Sequence, residues 1–420
     1  MTQEKLTVMV LSDHPLSPSG VGSQTKYMIE AMLATGKYRF ICLGGAVKHK
    51  DYTPVKVEPY QDDWVIFPID GYGSPDLLRA LLPAHKPDIL WFMTDPRFYE
   101  WLWEGENEIR AVVPMVYYHV WDNYPYPEFN RIWYESNDLV ATISKVTSDI
   151  VQTVAPNVEE VYIPHMVHTS IFKKYPEEQM SAFKEATLKS AGDKLVFFWN
   201  NRNARRKMSG SLIWWFKDYL DKVGHDKAML IMHTDPNDPH GQDLVANMKR
   251  LGLTNGEVQI SREKISPERL ALLYNLADCT INISDAEGFG LATFESLACE
   301  TPVIVNMTGG LQEQVTDGDN WFGIGIEPSS KAIIGSQQVP YIYEDRVSGE
   351  DFVNALVEFT NKTDEERASL GAAGRQHILN NYSMEQFKDR WDTVLTRIHN
   401  DCGSWENRKN YNLWEFAEIK

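Results

Sequence analysis

The stretch "DAEGFGLATFESLACETPV" at residues 285–303 sets two acidic residues, Glu287 and Glu295, eight positions apart with Gly288 and Gly290 between them. Glycine is a poor helix former. The pattern therefore reads as a strand end, a turn, and a helix starting near Gly290, with Glu295 about one and a half turns inside it. Glycines at a helix N-terminus let backbone N–H groups approach an anion, and the amides from Gly288 to Leu291 are placed to do so. A second group is cationic: "FFWNNRNARRKMSG" (197–210) puts Arg202, Arg205, Arg206 and Lys207 within six residues. Guanidinium and ammonium groups stabilise charge building on the phosphates of a departing nucleoside diphosphate; the alternative is a solvated charged loop. A third is "SDHPLSPSGVGSQTKYM", where Gly20 and Gly22 precede a helix near Ser23. It is either a plain strand-to-helix turn or a phosphate- or sugar-facing loop. It is not the dinucleotide fingerprint, because Thr25 stands where the third glycine belongs. The fourth is His119, which closes an apolar run at a strand mouth and reads, on its own, as a packed or surface histidine.

These groups need elements to hold them. Short apolar runs at 6–12, 39–44, 64–69, 88–93, 111–118 and 139–144 read as strands, with helical patterns between them. In the pattern at 23–35, Met28, Ala31 and Met32 share one face. After a polar, lysine-rich interval the alternation restarts at 194–199, 228–234, 258–261, 279–284 and 302–306. Continuous apolar strands separated by helices indicate parallel sheets covered on both faces. The predicted class is α/β, with a domain at 1–165, a linker at 166–192 and a second domain at 193–385. An amphipathic helix at 383–400 leads into the C-terminal segment, about 386–420, which is expected to pack back on the first domain. In open α/β sheets ligands bind at the carboxyl ends of the strands, and two such domains facing across a cleft suit a two-substrate reaction.

With 41 basic against 59 acidic residues, the net charge of −18 argues against nonspecific binding to nucleic acid or anionic lipid. Thirteen tryptophans predict large aromatic clusters. The four cysteines form no CxxC, and Cys42 and Cys279 lie in apolar runs. They read as reduced thiols of a cytoplasmic protein, without a disulfide framework or zinc site. The first apolar run stops at Ser12 and Asp13, too short for a signal peptide or a membrane span. The acidic loop "DPNDPHGQD" (235–243) reads either as a cation site or as a strand-to-helix loop with an N-cap.

Glu287-Gly-Phe-Gly-Leu-x-x-x-Glu295, with "PV" at 302–303 and "GGLQEQVTDG" at 309–318, resembles the E-x7-E signature of the retaining GT-B glycosyltransferases, specifically glycosyltransferase family four. The resemblance covers nearly the whole chain: the glycine loop at 20–22, the segment at 163–167 and the Arg202/Lys207 pair fall in family order and spacing. It implies a GT-B fold of two Rossmann-like, doubly wound domains, the second holding a nucleotide sugar. By that resemblance Arg202 and Lys207 contact the diphosphate, Glu295 the ribose hydroxyls and Glu287 the donor sugar. The amides of Gly288, Phe289, Gly290 and Leu291 lie on sugar and phosphate, Gly309 and Gly310 line the same pocket, and Gly20 and Gly22 face it from the first domain. Arg262 falls where the family meets the nucleobase, and His119 where it places a histidine facing the donor sugar. Tyr117, Tyr118, Trp121, Tyr124 and Tyr126 then read as a sugar-stacking surface or, in part, as plain aromatic core. "DGD" at 317–319 sits in the family's Asp-Gly turn, so it reads as a turn and no metal is expected. His165, Met166, His168, Asn201, Ala292 and Glu300 depart from the family's usual residues, and none of these changes removes a charged donor contact.

The resemblance implies a cytoplasmic, retaining, metal-independent hexosyltransferase of carbohydrate biosynthesis that requires no cofactor. It takes a UDP-, GDP- or ADP-sugar as co-substrate. Its acceptor is a glycan or small molecule, soluble rather than lipid-linked because the helix at 23–35 carries only Lys26 as a cation. No nucleic acid partner is expected. Two other classes share the pattern. A nucleotide-sugar epimerase needs acid/base carboxylates beyond the E-x7-E. A non-catalytic nucleotide-sugar-binding protein is opposed by the joint presence of Arg202, Lys207, Glu287, Glu295 and His119.

Overall fold

The computed structural model describes residues 5–188, 194–337 and 339–412. The chain divides into two compact units: one runs up to Trp121 and adds Tyr126–Met166 and everything from Met384, the other holds Asp122–Pro125 and Val167–Ser383. Residues 189–192 of the segment read as a linker, and 413–420 of the C-terminal segment, lie outside the described residues.

The first unit is built on β1 (Leu6–Asp13), β2 (Tyr38–Gly45), β3 (Val55–Val57), β4 (Gln61–Pro68), β5 (Ile89–Met93), β6 (Met115–His119), β7 (Leu139–Thr142) and β8 (Glu160–Tyr162). Their order is β3-β4-β2-β1-β5-β6-β7-β8, parallel throughout except where β3 meets β4. Val8, Met9, Val10 and Leu11 are all buried, so neither face of β1 meets water. That is why the strand reads as an unbroken apolar run instead of an alternation. Pairing of β1 with β2 carries Asp13 opposite Gly45, so both finish on the carboxyl edge of the sheet. The helix Met384–Cys402 belongs to this unit: Trp391 stands edge-on to Trp91 at 5.8 Å and to Tyr118 at 5.1 Å, and the Tyr38 hydroxyl donates to Asp392. This is one of the aromatic clusters that the composition predicts.

The second unit carries β9 (Leu195–Asn200), β10 (Ala228–His233), β11 (Val258–Ser261), β12 (Cys279–Asn282), β13 (Val303–Asn306) and β14 (Gly323–Ile326) in the order β11-β10-β9-β12-β13-β14. All of these pairs are parallel. A separate antiparallel hairpin, β15 (Ser330–Ile334) and β16 (Ile342–Arg346), follows. Phe197, Trp199, Phe216, Leu230, Ile281 and Phe359 anchor the core. Both units are doubly wound α/β sheets, as the sequence predicts.

Every apolar run chosen from the sequence contains a strand. The run at 111–118 shrinks most, because the Val113 amide bonds back to Ile109 and closes the helix Glu106–Arg110. Strands β3, β8, β14, β15 and β16 have no counterpart among the expected ones. Residues Glu177–Thr187, inside the segment read as a linker, form a helix. Among the described residues no helix is long and apolar enough to cross a membrane.

Candidate active site

In the second unit β12 ends at Asn282, and the chain turns through Asp285 and Glu287 into the helix Leu291–Ala298. Gly290 caps that helix at φ 97°, a left-handed conformation that glycine adopts without a Cβ penalty. Strand β9 delivers the cationic segment, whose single 3-10 turn Arg205–Lys207 precedes the helix Ser209–Val223. The two loops are laced together. Arg206 donates to the Ala286 carbonyl at 2.5 Å, the Asp285 amide donates to the Arg206 carbonyl at 2.8 Å, and Lys207 forms an ion pair with Glu287. Both members of that pair are nearly sealed from water, 9% and 13% exposed. Burial lowers the Lys207 ammonium from its ordinary value, against the pull of Glu287 and aided by repulsion from Arg206. For Glu287 burial acts upward, but Lys207 and Arg206 outweigh it and hold the carboxyl below the usual range. Glu287 is therefore ionised at neutral pH.

The hairpin fastens these loops from outside. Arg205 makes two bonds to Glu344 of β16, at 2.7 and 2.5 Å. The Asp345 amide donates to the Asp285 carbonyl at 2.9 Å, and Asn306 donates to the carbonyls of Ser284 and Asp345. Burial, and then the neighbouring Glu344, push the Asp285 carboxyl up to about 7. Sequence reasoning missed Glu344: β16 reads IYEDR, with no apolar run to mark a strand and nothing to mark a buried acid.

Glu295 accepts from the Tyr274 hydroxyl at 2.8 Å, and that hydroxyl accepts from Asn200 at 2.8 Å. Burial pushes the Glu295 carboxyl up to about 7. Gly309 and Gly310 lie against the 287–289 backbone. A Cβ on Gly309 would sit 1.9 Å from the Glu287 carbonyl oxygen and one on Gly310 2.7 Å from the Phe289 Cα. The Gly310 amide donates to the same Glu287 carbonyl at 3.0 Å. The ring of Phe289 is buried edge-on to Phe294 at 4.8 Å, so its side chain anchors the loop in the core.

Other expected residues stand apart from this group. Arg202 is 62% exposed and held by Asp238 at 2.7 and 3.2 Å. Among the described residues no bond joins it to Lys207 or Glu287. The loop 235–243 that supplies Asp238 also supplies Asp243 as the N-cap of the helix Leu244–Leu251. Arg262 is exposed just beyond β11. Asp317 accepts the amides of Asp319 and Asn320, so "DGD" is a turn.

In the first unit His119 closes β6 and is fully buried. Its Nε2 lies 2.7 Å from the Tyr134 hydroxyl, and its Nδ1 has no partner among the described residues. Burial drives its pKa down to about 3, which leaves the imidazole neutral. Tyr117, Tyr118 and Trp121 are core side chains, Tyr117 stacking on Phe92 at 4.9 Å. Of the aromatic group around His119, that leaves Tyr124, 57% exposed, and the half-buried Tyr126 outside the core. Gly20 opens the helix Gly20–Leu33. The Gly22 amide is taken by the Ser19 hydroxyl at 2.9 Å, so it caps the helix instead of standing open to an anion.

The two sheets and their connections define a GT-B fold. Sucrose-phosphate synthase from Thermosynechococcus elongatus superposes with a TM-score of 0.72 at 16% identity, over 94% of this chain and 100% of that one. The Anabaena protein HepE, solved in complex with UDP and glucose, gives 0.69 at 16% identity over 93% and 100%. At these identities the likeness is one of fold. Residues 241–377 match the family described as Glycosyl transferases group 1, so the second unit carries a domain of that group. The resemblance to glycosyltransferase family four drawn from Glu287 and Glu295 holds. D-inositol 3-phosphate glycosyltransferase of Acidothermus cellulolyticus is 46% identical over 54 residues, 13% of this chain and 12% of the relative. N-acetyl-alpha-D-glucosaminyl L-malate synthase of Bacillus anthracis is 19% identical over 272 residues, 64% of this chain and 62% of the relative. The matches thus span less than two thirds of either relative's length.

Proposed function

We propose that this protein is a retaining glycosyltransferase that moves a sugar from a nucleoside-diphosphate sugar to an acceptor hydroxyl. The observation that carries the reading is the buried Lys207–Glu287 pair, set beside a glycine-capped helix N-terminus and backed by Gly309 and Gly310. A sealed ammonium and helix-end amides meet the charge that develops on a leaving diphosphate, and do so without solvent to reorganise. Glu287, ionised beside them, accepts from hydroxyls of the transferred sugar, and Glu295 from those of the ribose. The bond from the anomeric carbon to the phosphate oxygen breaks as the acceptor oxygen bonds to the same face. The acceptor's proton passes to the departing diphosphate. Lys207 and the amides hold that charge, so no metal is required.

In this reading the second unit binds the donor and the first the acceptor. UDP is the first nucleotide to try, since HepE was solved with it and the E. coli trehalose-6-phosphate structure with UDP-2-fluoro glucose. We place the reaction in the cytoplasm, which the free thiols of all four cysteines support. The test is incubation with UDP-, GDP- and ADP-sugars and a mixed acceptor panel, with and without EDTA. An α-linked product from an α-linked donor, unaffected by EDTA, is expected. Inverted product, or transfer abolished by EDTA, contradicts the reading.

A further inference from the structure

Strand β16 pairs only with β15, and such an edge strand turns the N–H and C=O of every other residue away from its partner. On the β15 side the Ser329 amide donates to the Arg346 carbonyl at 2.9 Å. On the other side Tyr343 and Asp345 bond to loops. The Tyr343 amide donates to the Tyr124 carbonyl at 2.5 Å, and its carbonyl accepts from Asn123 at 3.3 Å. The Asp345 amide donates to the Asp285 carbonyl at 2.9 Å. Its carbonyl accepts from Asn306 and its carboxylate from the Thr308 hydroxyl, each at 2.8 Å. Between these two residues Glu344, 2% exposed, takes both arms of the Arg205 fork.

Three consecutive residues of β16 thus clasp pieces of chain that lead into the proposed donor site. Arg205 opens the turn that ends in Lys207. Asp285 leads into Glu287, and Thr308 into Gly309 and Gly310. The stretch Asp122–Pro125, held in the second unit, is fastened by the Tyr124 ring stacked on Tyr343 at 5.9 Å, with the Lys331 ammonium 5.3 Å from the Tyr124 ring centre. It reaches the same place: against the burial that lowers the Lys207 pKa, Asp122 adds its attraction to that of Glu287.

Charge singles out Glu344 within this clasp. Arg205 lies 3.9 Å from Asp285 as well, and Arg346 lies 3.8 Å from Asp285 and 3.5 Å from Glu344. Both carboxyls therefore draw on both guanidinium groups. The planar fork of Arg205 meets Glu344 through two nitrogens, which fixes direction as well as distance. Without Glu344, Asp285 is the carboxylate left within reach of Arg205, and turning to it drags the 205–207 turn across the loop it should oppose. A misplacement of about 1 Å in such a group costs about 100-fold in rate.

We propose that Glu344 is a positioning residue for sugar transfer: through Arg205 it sets the turn that presents Lys207, while its neighbours in β16 hold the 285–287 and 308–310 loops to the same frame. The part in transfer rests on the glycosyltransferase reading; the clasp itself does not.

The test joins hydrogen exchange, read by mass spectrometry, with transfer kinetics on the full chain. In Glu344→Ala, peptides spanning 204–208 and 285–291 should exchange about tenfold faster, the local loss of a charge-assisted hydrogen bond, while those of β9 and β10 keep wild-type rates. With whichever of the UDP-, GDP- or ADP-sugars the wild type turns over, kcat should fall about 100-fold and donor KM should change by less than about threefold. A merely structural role would lower the folded fraction and leave kcat per folded molecule intact. Glu344→Gln keeps an oxygen for Arg205 and should recover much of both effects. Arg205→Ala leaves the hairpin untouched and should match Glu344→Ala, with the double variant losing no more than either single. Ile333→Thr, at an exposed position of β15, should keep the wild-type kcat. Wild-type kcat in Glu344→Ala, unchanged exchange at both loops, or losses that multiply in the double variant overturn the proposal. Turnover by the wild type that Glu344→Ala leaves intact keeps the function and removes this residue. No turnover of any donor removes the function, and faster exchange at the two loops then upholds the clasp alone.

Discussion

Lys207 and Glu287 lie 80 residues apart in the chain and meet as a buried ion pair that joins the loop after β9 to the loop after β12. The pair, with the Arg206 contact to Ala286, fixes the register of the two loops.

Removing one member leaves the other charge buried and unpaired, which costs about 3–5 kcal/mol. Lys207→Met and Glu287→Gln should each lower stability on that scale, with the double variant recovering most of the loss. Urea unfolding checks this. A double variant no more stable than the singles contradicts a pair balanced by mutual charge. Transfer in Lys207→Met should fall about 100–1000-fold, the usual effect of deleting a charge-stabilising donor.

Glu295 gives a pH signature. Burial raises its folded pKa from the ordinary 4.5 to about 7. The folded state therefore holds this proton more tightly than the unfolded chain. Its contribution to stability is complete below about pH 4.5 and is lost as pH rises through about 7. Glu295→Gln should remove that dependence, so variant and wild-type stability curves diverge between those limits and run parallel above. Nucleotide binding should strengthen as pH rises through about 7, because the ionised carboxylate accepts from ribose hydroxyls, and Glu295→Gln should flatten that profile. A wild-type affinity independent of pH excludes Glu295 from the ribose contact.

Tyr274→Phe deletes the hydroxyl that donates to Glu295 and accepts from Asn200. The expected cost is about 1–3 kcal/mol, since the buried partners are left unsatisfied. Nucleotide affinity should drop with it. Unchanged stability and affinity would show that Glu295 needs no orienting partner.

Two glycines separate conformational strain from contact. Gly309 has φ +49° and no room for a Cβ, whereas Gly252 has φ +72° and open space around it. Gly252→Ala should cost about 1–2 kcal/mol, the left-handed penalty alone. Gly309→Ala should cost more and weaken nucleotide binding, because the Glu287 carbonyl must move. Equal stability loss in the two variants means that the 287–289 loop is not held by Gly309.

Strands such as β1 and β9 were legible because burial on both faces leaves an unbroken apolar run. Strand β8, three half-buried residues, leaves no such trace. Gly290 was legible because its left-handed φ favours glycine, and Gly309 and Gly310 because the 287–289 backbone leaves no room for a Cβ. Pairing was not. Nothing local tells that Lys207 meets Glu287 while Arg202 is taken by Asp238, since both choices depend on where distant loops fall. Phe289 sits in the signature yet packs in the core, and Tyr117 and Tyr118 read equally well as a stacking surface until β6 is seen to be buried on both faces. Glu344 needed the hairpin to become visible.

Nucleoside diphosphate release from UDP-, GDP- and ADP-sugars with acceptor present, in the wild type and in Lys207→Ala and Glu287→Ala, decides whether the Lys207–Glu287 pair serves sugar transfer. Release from at least one donor is expected, with its loss by about 100-fold or more in each variant while both remain folded. No release from any donor, or wild-type rates in either variant, contradicts that role.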